Sequence, residues 1–141
     1  LISDYCARAG VTLIHQEGDK AFYRPSNDTI VLPMMSQFAE TAEYYSTAFH
    51  EMVHSTGHSN RLNRLTQTAH FGNAEYSKEE LVAEIGASAL VNHAGLETEK
   101  SFRNNTAYVQ SWLNVLKNDK RFIVSASGKA EKAVELILAG A

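Results

Sequence analysis

The chain has 141 residues, 44% of them hydrophobic and 21% charged, the balance of an ordinary globular protein that can bury a core without disulfide or metal staples. Its net charge of −3 gives no electrostatic reason to expect a nucleic-acid backbone as partner. The single cysteine, Cys6, excludes an internal disulfide. No apolar run is long enough for a membrane span and no leader-like segment opens the chain, so no membrane partner and a cytoplasmic location are expected.

Leu1, Ile2, Tyr5, Cys6 and Ala9 show helical spacing before Gly10 stops the run. A chain that opens inside an element, with no initiator Met, is expected to be one domain, residues 1–141, excised from a longer protein. Val11 to Gln16 reads as a short strand. Residues 21–24 and 29–32 flank the turn formers Pro25-Ser26-Asn27-Asp28, which predicts a hairpin closed by Pro33. Ser36 is placed to cap a long helix whose apolar stripe is Phe38, Ala42, Tyr45, Phe49, Met52 and Thr56, and Gly57 ends it.

From His58 to Tyr76 no periodicity emerges, and Gly72-Asn73 marks a turn, so a long functional loop is expected there. A second helix is predicted from Lys78 to His93, with Leu81, Val82, Ile85 and Ala89 inward and Gly95 as its stop. Tyr108, Val109, Trp112, Val115 and Leu116 define a third helix. Ala130, Ala133, Val134, Ile137 and Leu138 define a fourth, stopped by Gly140. A small meander followed by helices makes an α+β domain.

Chemistry concentrates at His50-Glu51-Met52-Val53-His54. Two histidines four apart on a helix project from one face, so both imidazoles can hold one Zn²⁺ while Glu51 takes a proton from water activated by the metal. A catalytic zinc needs a third protein ligand and one open position. The metzincin extension HExxHxxGxxH is followed as far as Gly57, but Asn60 stands where its third histidine belongs. His58 comes too early: on a continuous helix it would lie about 12 Å from His50 along the axis, too far to share an ion.

Glu80 and Glu84 lie one turn apart on the second helix, with Ala83 and Ala87 beside them. Small residues let that helix approach the histidine helix, where one carboxylate can bind zinc and the other can accept the free imidazole N–H of a ligand histidine. The arrangement resembles that of gluzincins, in which HExxH is followed by a helix bearing ExxxD or ExxAN. On that pattern Glu80 is the ligand, Ala83 the small residue and Glu84 the supporting carboxylate. The alternative is that Ser77-Lys78-Glu79-Glu80 forms a capping box, which leaves Glu84 as the ligand.

His15, His70 and His93 stand alone and read as surface or core histidines. Arg61 and Arg64 read as solvated cations of a polar loop. Tyr44, Tyr45 and Tyr108 have the spacing of core residues. Tyr76, in the loop leading into the ligand helix, is a candidate oxyanion donor.

Taken together, these residues resemble the zincin-like metallopeptidase domain of ArdC-type antirestriction proteins of conjugative plasmids and phages. The likeness runs through Ala21-Phe22-Tyr23, Pro25-Ser26, Tyr44-Tyr45, the HExxH motif, Thr56-Gly57-His58, Arg61-Leu62, Phe71-Gly72, Glu79 to Glu84, Ser111-Trp112-Leu113 and Lys117 to Lys120. It implies one Zn²⁺ per chain on His50, His54 and Glu80, with Glu51 as general base in the hydrolysis of a protein or peptide substrate. It also implies that single-stranded DNA is bound only through a missing N-terminal domain. Two other readings remain: a metal-stabilised, non-catalytic interaction module, and nucleic-acid binding by this domain itself.

Overall fold

A computed structural model describes residues 1–65 and 74–140. Helix α1 (Ile2–Ala9) buries Ile2, Tyr5 and Cys6, and Gly10 closes it in the left-handed region at φ 75°, where glycine bears no Cβ penalty. Three short strands follow, β1 (Thr12–His15), β2 (Phe22–Arg24) and β3 (Thr29–Leu32). The turn formers between β2 and β3 fold into a 3-10 turn at Pro25–Asn27, with Asp28 at φ 51° reversing the chain.

The sheet is not the simple meander expected. Its order is β1-β3-β2, with β1 parallel to β3 and only β2–β3 antiparallel. All four residues of β3 are buried, so the uninterrupted run Thr29-Ile30-Val31-Leu32 is that of a central strand packed on both faces. Among the described residues this leaves β2 as an edge strand, paired with β3 alone.

Helix α2 (Thr41–Thr56) starts later than Ser36. The Met34 N–H donates to Gln37 Oε1 at 3.0 Å and closes a separate 3-10 turn at Met35–Gln37, which absorbs the residues expected in the first helical turn. Phe38 still serves the core, edge-on to the Tyr44 ring at 5.6 Å. Past Gly57 the chain folds back along α2: Leu62 N–H donates to Thr56 O at 2.8 Å, and the Arg64 and Leu65 N–H groups both donate to Gly57 O at 2.9 Å. The helix C-terminus is thereby satisfied by backbone rather than by water.

Helix α3 (Ala74–His93) already contains Tyr76 and Ser77. Tyr76 is therefore on the helix and not in a loop, and Ser77 is a buried interior residue rather than the cap of a box, which removes the capping alternative for Glu80. α3 packs against α2, α4 (Glu99–Val115) and α5 (Lys120–Leu138). A helix buried on several sides needs small and apolar residues all round. Leu81, Val82, Ala83, Gly86, Ala87, Leu90 and Val91 are buried accordingly, while Ala89, expected inward, is exposed. Of the other expected core positions, Tyr108 is 56% exposed on α4.

α4 and α5 begin earlier than their apolar positions alone suggest, because each has a good cap. Thr98 Oγ1 accepts the Ser101 N–H at 3.0 Å while Ser101 Oγ accepts the Thr98 N–H at 2.8 Å. Asp119 Oδ1 accepts the Arg121 N–H at 3.0 Å. The expected Gly72-Asn73 turn and His70 lie outside the described residues. Among the described residues no helix is long and apolar enough to cross a membrane.

α2 and α3 approach closely at Gly86, where a Cβ would stand 2.8 Å from Val53 Cγ2. Val53 is fully buried and β-branched, so it has little freedom to move aside. Gly86→Val is therefore expected to lower stability by about 1–3 kcal/mol, as overpacking does. Denaturant unfolding measures this, and a variant as stable as the parent would show that the two helices are not in contact there.

Candidate metal centre

The inner face of α2 presents His50 and His54 one turn apart, and α3 brings Glu80 against them. His54 Nε2 is 3.1 Å from His50 Nε2. Glu80 reaches both rings, with Oε2 3.0 Å from His50 Nε2 and Oε1 3.2 Å from His54 Nε2. Donors about 2.0–2.2 Å from a tetrahedral ion stand about 3.3–3.5 Å apart, so this spacing fits a cation with little adjustment. Among the described residues these three form a group able to hold a metal, with their donor atoms within 4.8 Å of one another.

The outward nitrogens of both rings face carboxylates. His54 Nδ1 donates to Glu79 Oε2 at 2.9 Å, and Glu84 Oε1 lies 3.5 Å from His50 Nδ1. A carboxylate behind each imidazole holds the proton on Nδ1 and turns the Nε2 lone pair inward. Glu84 thus sits beside the His50 ring and outside the His50, His54 and Glu80 group.

Glu79 is the residue that sequence reasoning missed. It is held from the other side by Arg64, whose Nε and Nη2 donate to it at 2.9 and 3.1 Å. Arg64 also donates to Thr56 Oγ1 at 2.8 Å and Val53 O at 2.7 Å. The expectation of a solvated Arg64 fails because the fold-back at Gly57 returns it to α2. A Cβ at Gly57 would meet Leu65 Cγ at 2.9 Å, so glycine is needed there for space.

Arg61 is not solvated either. It donates to Ser55 O at 2.8 Å and Ala9 O at 3.0 Å, and pairs with Asp28. Tyr23 OH also donates to Asp28 Oδ1, at 2.6 Å. One guanidinium thereby ties α1, α2 and the β2–β3 turn together.

The electrostatics follow from this packing. Burial opposes a charged His54, but its bonds to Glu79 and Glu80 outweigh that and raise its pKa well above the usual imidazole value. Burial likewise opposes ionised Glu79 and Glu80. The imidazoles, and Arg64 for Glu79, nevertheless hold both carboxyls below the ordinary range. Burial raises Glu84. Tyr76 is pushed up to about 12, first by burial and then by the Glu80 carboxylate, so its phenol keeps its proton at neutral pH.

A cleft of about 460 Å³ opens onto the group, walled by Phe22, Tyr23, Pro25, Leu65 and Tyr76, with His50, Glu51, His54, Glu79 and Glu80 at its base. Glu51 is 7% exposed. The other described histidines stay apart from the group: His58 Nδ1 accepts the Asn60 N–H at 3.0 Å, His15 bonds Tyr44 OH at 2.7 Å, and His93 is exposed.

The chain belongs to the zincin-like metallopeptidases. The family model MPTase-PolyVal, described as a zincin-like metallopeptidase, matches residues 2–129. A protein named DNA primase TraC from Escherichia coli is 44% identical over 134 residues, a match spanning 94% of this chain and 12% of TraC. The Mn(II)-bound crystal structure of the antirestriction protein ArdC from plasmid R388 superposes with a TM-score of 0.77 at 37% identity, covering 98% of this chain and 51% of ArdC. Its metal-free form gives 0.71 at 38% identity, with 96% and 48% covered. The resemblance to ArdC-type proteins read from the sequence is borne out in family and in fold, and the chain spans only a part of these longer relatives.

The Asp28 pair carries a pH signature. Burial works against the Asp28 carboxylate, but the Arg61 and Tyr23 bonds prevail and lower its pKa. A lowered folded-state pKa adds stability that is present above the unfolded value of about 3.9 and lost as pH falls through the folded one. Asp28→Asn should cost about 1–3 kcal/mol at pH 7, with the gap to the parent closing below about pH 4. Urea unfolding across pH tests this, and a gap constant from neutral to strongly acidic pH would contradict it.

Proposed function

We propose that the chain is a zinc-dependent peptidase domain, in which His50, His54 and Glu80 hold one Zn²⁺ and Glu51 is the general base. The observation that carries this reading is the mutual 3.0–3.2 Å spacing of the two Nε2 atoms and the Glu80 carboxylate, with a carboxylate behind each ring. A bound divalent ion would supply Lewis-acid polarisation of a carbonyl and a lowered pKa for water. The Mn(II)-bound ArdC structure supports a divalent metal in this fold, and two imidazoles with one carboxylate are a donor set suited to zinc.

The chain's own residues do the rest. Glu51, buried at the base of the cleft beside His50, takes a proton from the attacking water and returns it to the leaving amine. Tyr76, protonated and walling the same cleft, donates to the carbonyl oxygen as charge develops on it. Glu79, steadied by Arg64, fixes His54, and Glu84 stands behind His50. Among the described residues β2 pairs on one side only, so its other edge can bind an extended peptide by main-chain hydrogen bonds.

We further read the domain as part of an antirestriction protein of a mobile element, acting on a protein substrate in the cytoplasm. Single-stranded DNA would be left to another, N-terminal domain, in keeping with a net charge of −3 here. A non-catalytic module would need no buried carboxylate such as Glu51 at the cleft base.

Glu51→Gln should keep one metal per chain and abolish cleavage of an unfolded protein such as casein, because only the proton acceptor is lost. Metal analysis and a cleavage assay decide this. Full metal with no cleavage even in the parent would favour the non-catalytic module, and equal cleavage by both would refute the assigned base.

Chelator competition should rank the carboxylates. Glu80→Gln, like His50→Ala or His54→Ala, should lose the metal. Glu79→Gln and Glu84→Gln should weaken affinity by about 10–100-fold, the usual effect of losing a partner behind a ligand. A Glu84→Gln protein without metal beside a Glu80→Gln protein that keeps it would reverse the ligand assignment.

A further inference from the structure

A second opening reaches the same site from between α2 and α4. One cavity of about 300 Å³ touches His50, Glu51 and Glu84, and another of about 300 Å³ runs outward to Phe38 and Lys100. Both are walled by Ser46, Thr47, Asn105 and Tyr108, so they form one groove. His50 and Glu51 also line the β2 cleft. The two residues therefore line both the β2 cleft and this groove.

Asn105 is the buried residue of α4, 8% exposed. Its Nδ2 is a buried side-chain donor with no hydrogen-bond partner among the described residues. An unpaired buried donor is a cost that an apolar side chain would avoid, so a ligand acceptor gives the amide a purpose. Charge selects that acceptor. Lys100 lies 3.5 and 3.6 Å from Glu40 and Glu43 at the outer end, and Glu51 and Glu84 occupy the inner end. An anionic oxygen is repelled by this set, whereas a neutral peptide carbonyl is not.

We propose that the α2–α4 groove holds the half of an extended peptide substrate that lies away from β2, with Asn105 Nδ2 donating to one of its carbonyl oxygens. The proposal rests on the peptidase reading above and adds where the second half of the substrate runs. The exposed Tyr108 ring at the groove wall offers apolar contact to a side chain there.

The test is a titration of the ¹⁵N-labelled, zinc-loaded chain with capped hexa-alanine, followed by NMR. The side-chain NH₂ signals of Asn105 should shift together with backbone signals of β2. Asn105→Leu should weaken the peptide by about 5- to 10-fold, the worth of one hydrogen bond, while melting no lower than the parent. Shifts on β2 with Asn105 unmoved would overturn the groove and leave the peptidase reading standing. No shift anywhere at millimolar peptide would overturn both. A shift of Asn105 with a short oligothymidylate in place of the peptide would overturn the choice of a neutral acceptor. A lower-melting Asn105→Leu with undiminished peptide affinity would assign the amide to the fold instead.

Discussion

The close approach of α2 and α3 is the constraint on which the site depends. Gly86 lies against Val53, one residue before His54, and Ala83 and Ala87 are buried along the same helix. At this separation the Glu80 carboxylate touches both Nε2 atoms at 3.0 and 3.2 Å. Three donors can share an ion only while they stay this close together, so the helix spacing bears directly on the site. The core that stabilises the domain and the geometry that defines its centre are thus one piece of packing.

That packing draws together more carboxylates than cations. Glu51, Glu79, Glu80 and Glu84 surround two imidazoles, and Arg64 is the guanidinium that answers Glu79. Buried charges of one sign are tolerated when opposite charge is bound among them. A divalent cation at the centre of the group, as proposed above, would supply it. The fold-back after Gly57 has a matching purpose, since it satisfies the end of α2 and delivers Arg64 to Glu79 with the same few backbone hydrogen bonds.

How much was legible in the sequence follows from how local each feature is. His50, Glu51 and His54 lie on one helix, and the spacing alone put the two histidines on one face with Glu51 beside the first. Glu80 needed the pattern of a second helix, and the α+β fold needed only periodicity and turn residues. Glu79 was invisible because its partner, Arg64, arrives through a non-local fold-back that no periodicity announces, and Arg61 was misread for the same reason. Tyr108 failed as a core residue because helical spacing identifies a face without saying whether anything covers it. The place of β1 beside β3 depends on which strand the helices bury, a tertiary choice that short strands do not encode. Helix starts were missed where a cap such as Thr98 or Asp119 lies well before the apolar stripe that defines the helix, Tyr108 onward on α4 and Ala130 onward on α5.

The match spans about half of ArdC and a small part of TraC, so the same unit recurs inside longer proteins of different length. Every residue of the proposed centre lies on α2 or α3, which lets the unit carry its site with it. The most direct test is a crystal structure of the chain grown with zinc, with anomalous diffraction recorded on both sides of the zinc absorption edge. The account predicts one anomalous peak, about 2 Å from His50 Nε2, His54 Nε2 and a Glu80 oxygen. A peak coordinated by Glu84 in place of Glu80, or no peak between α2 and α3, would contradict it.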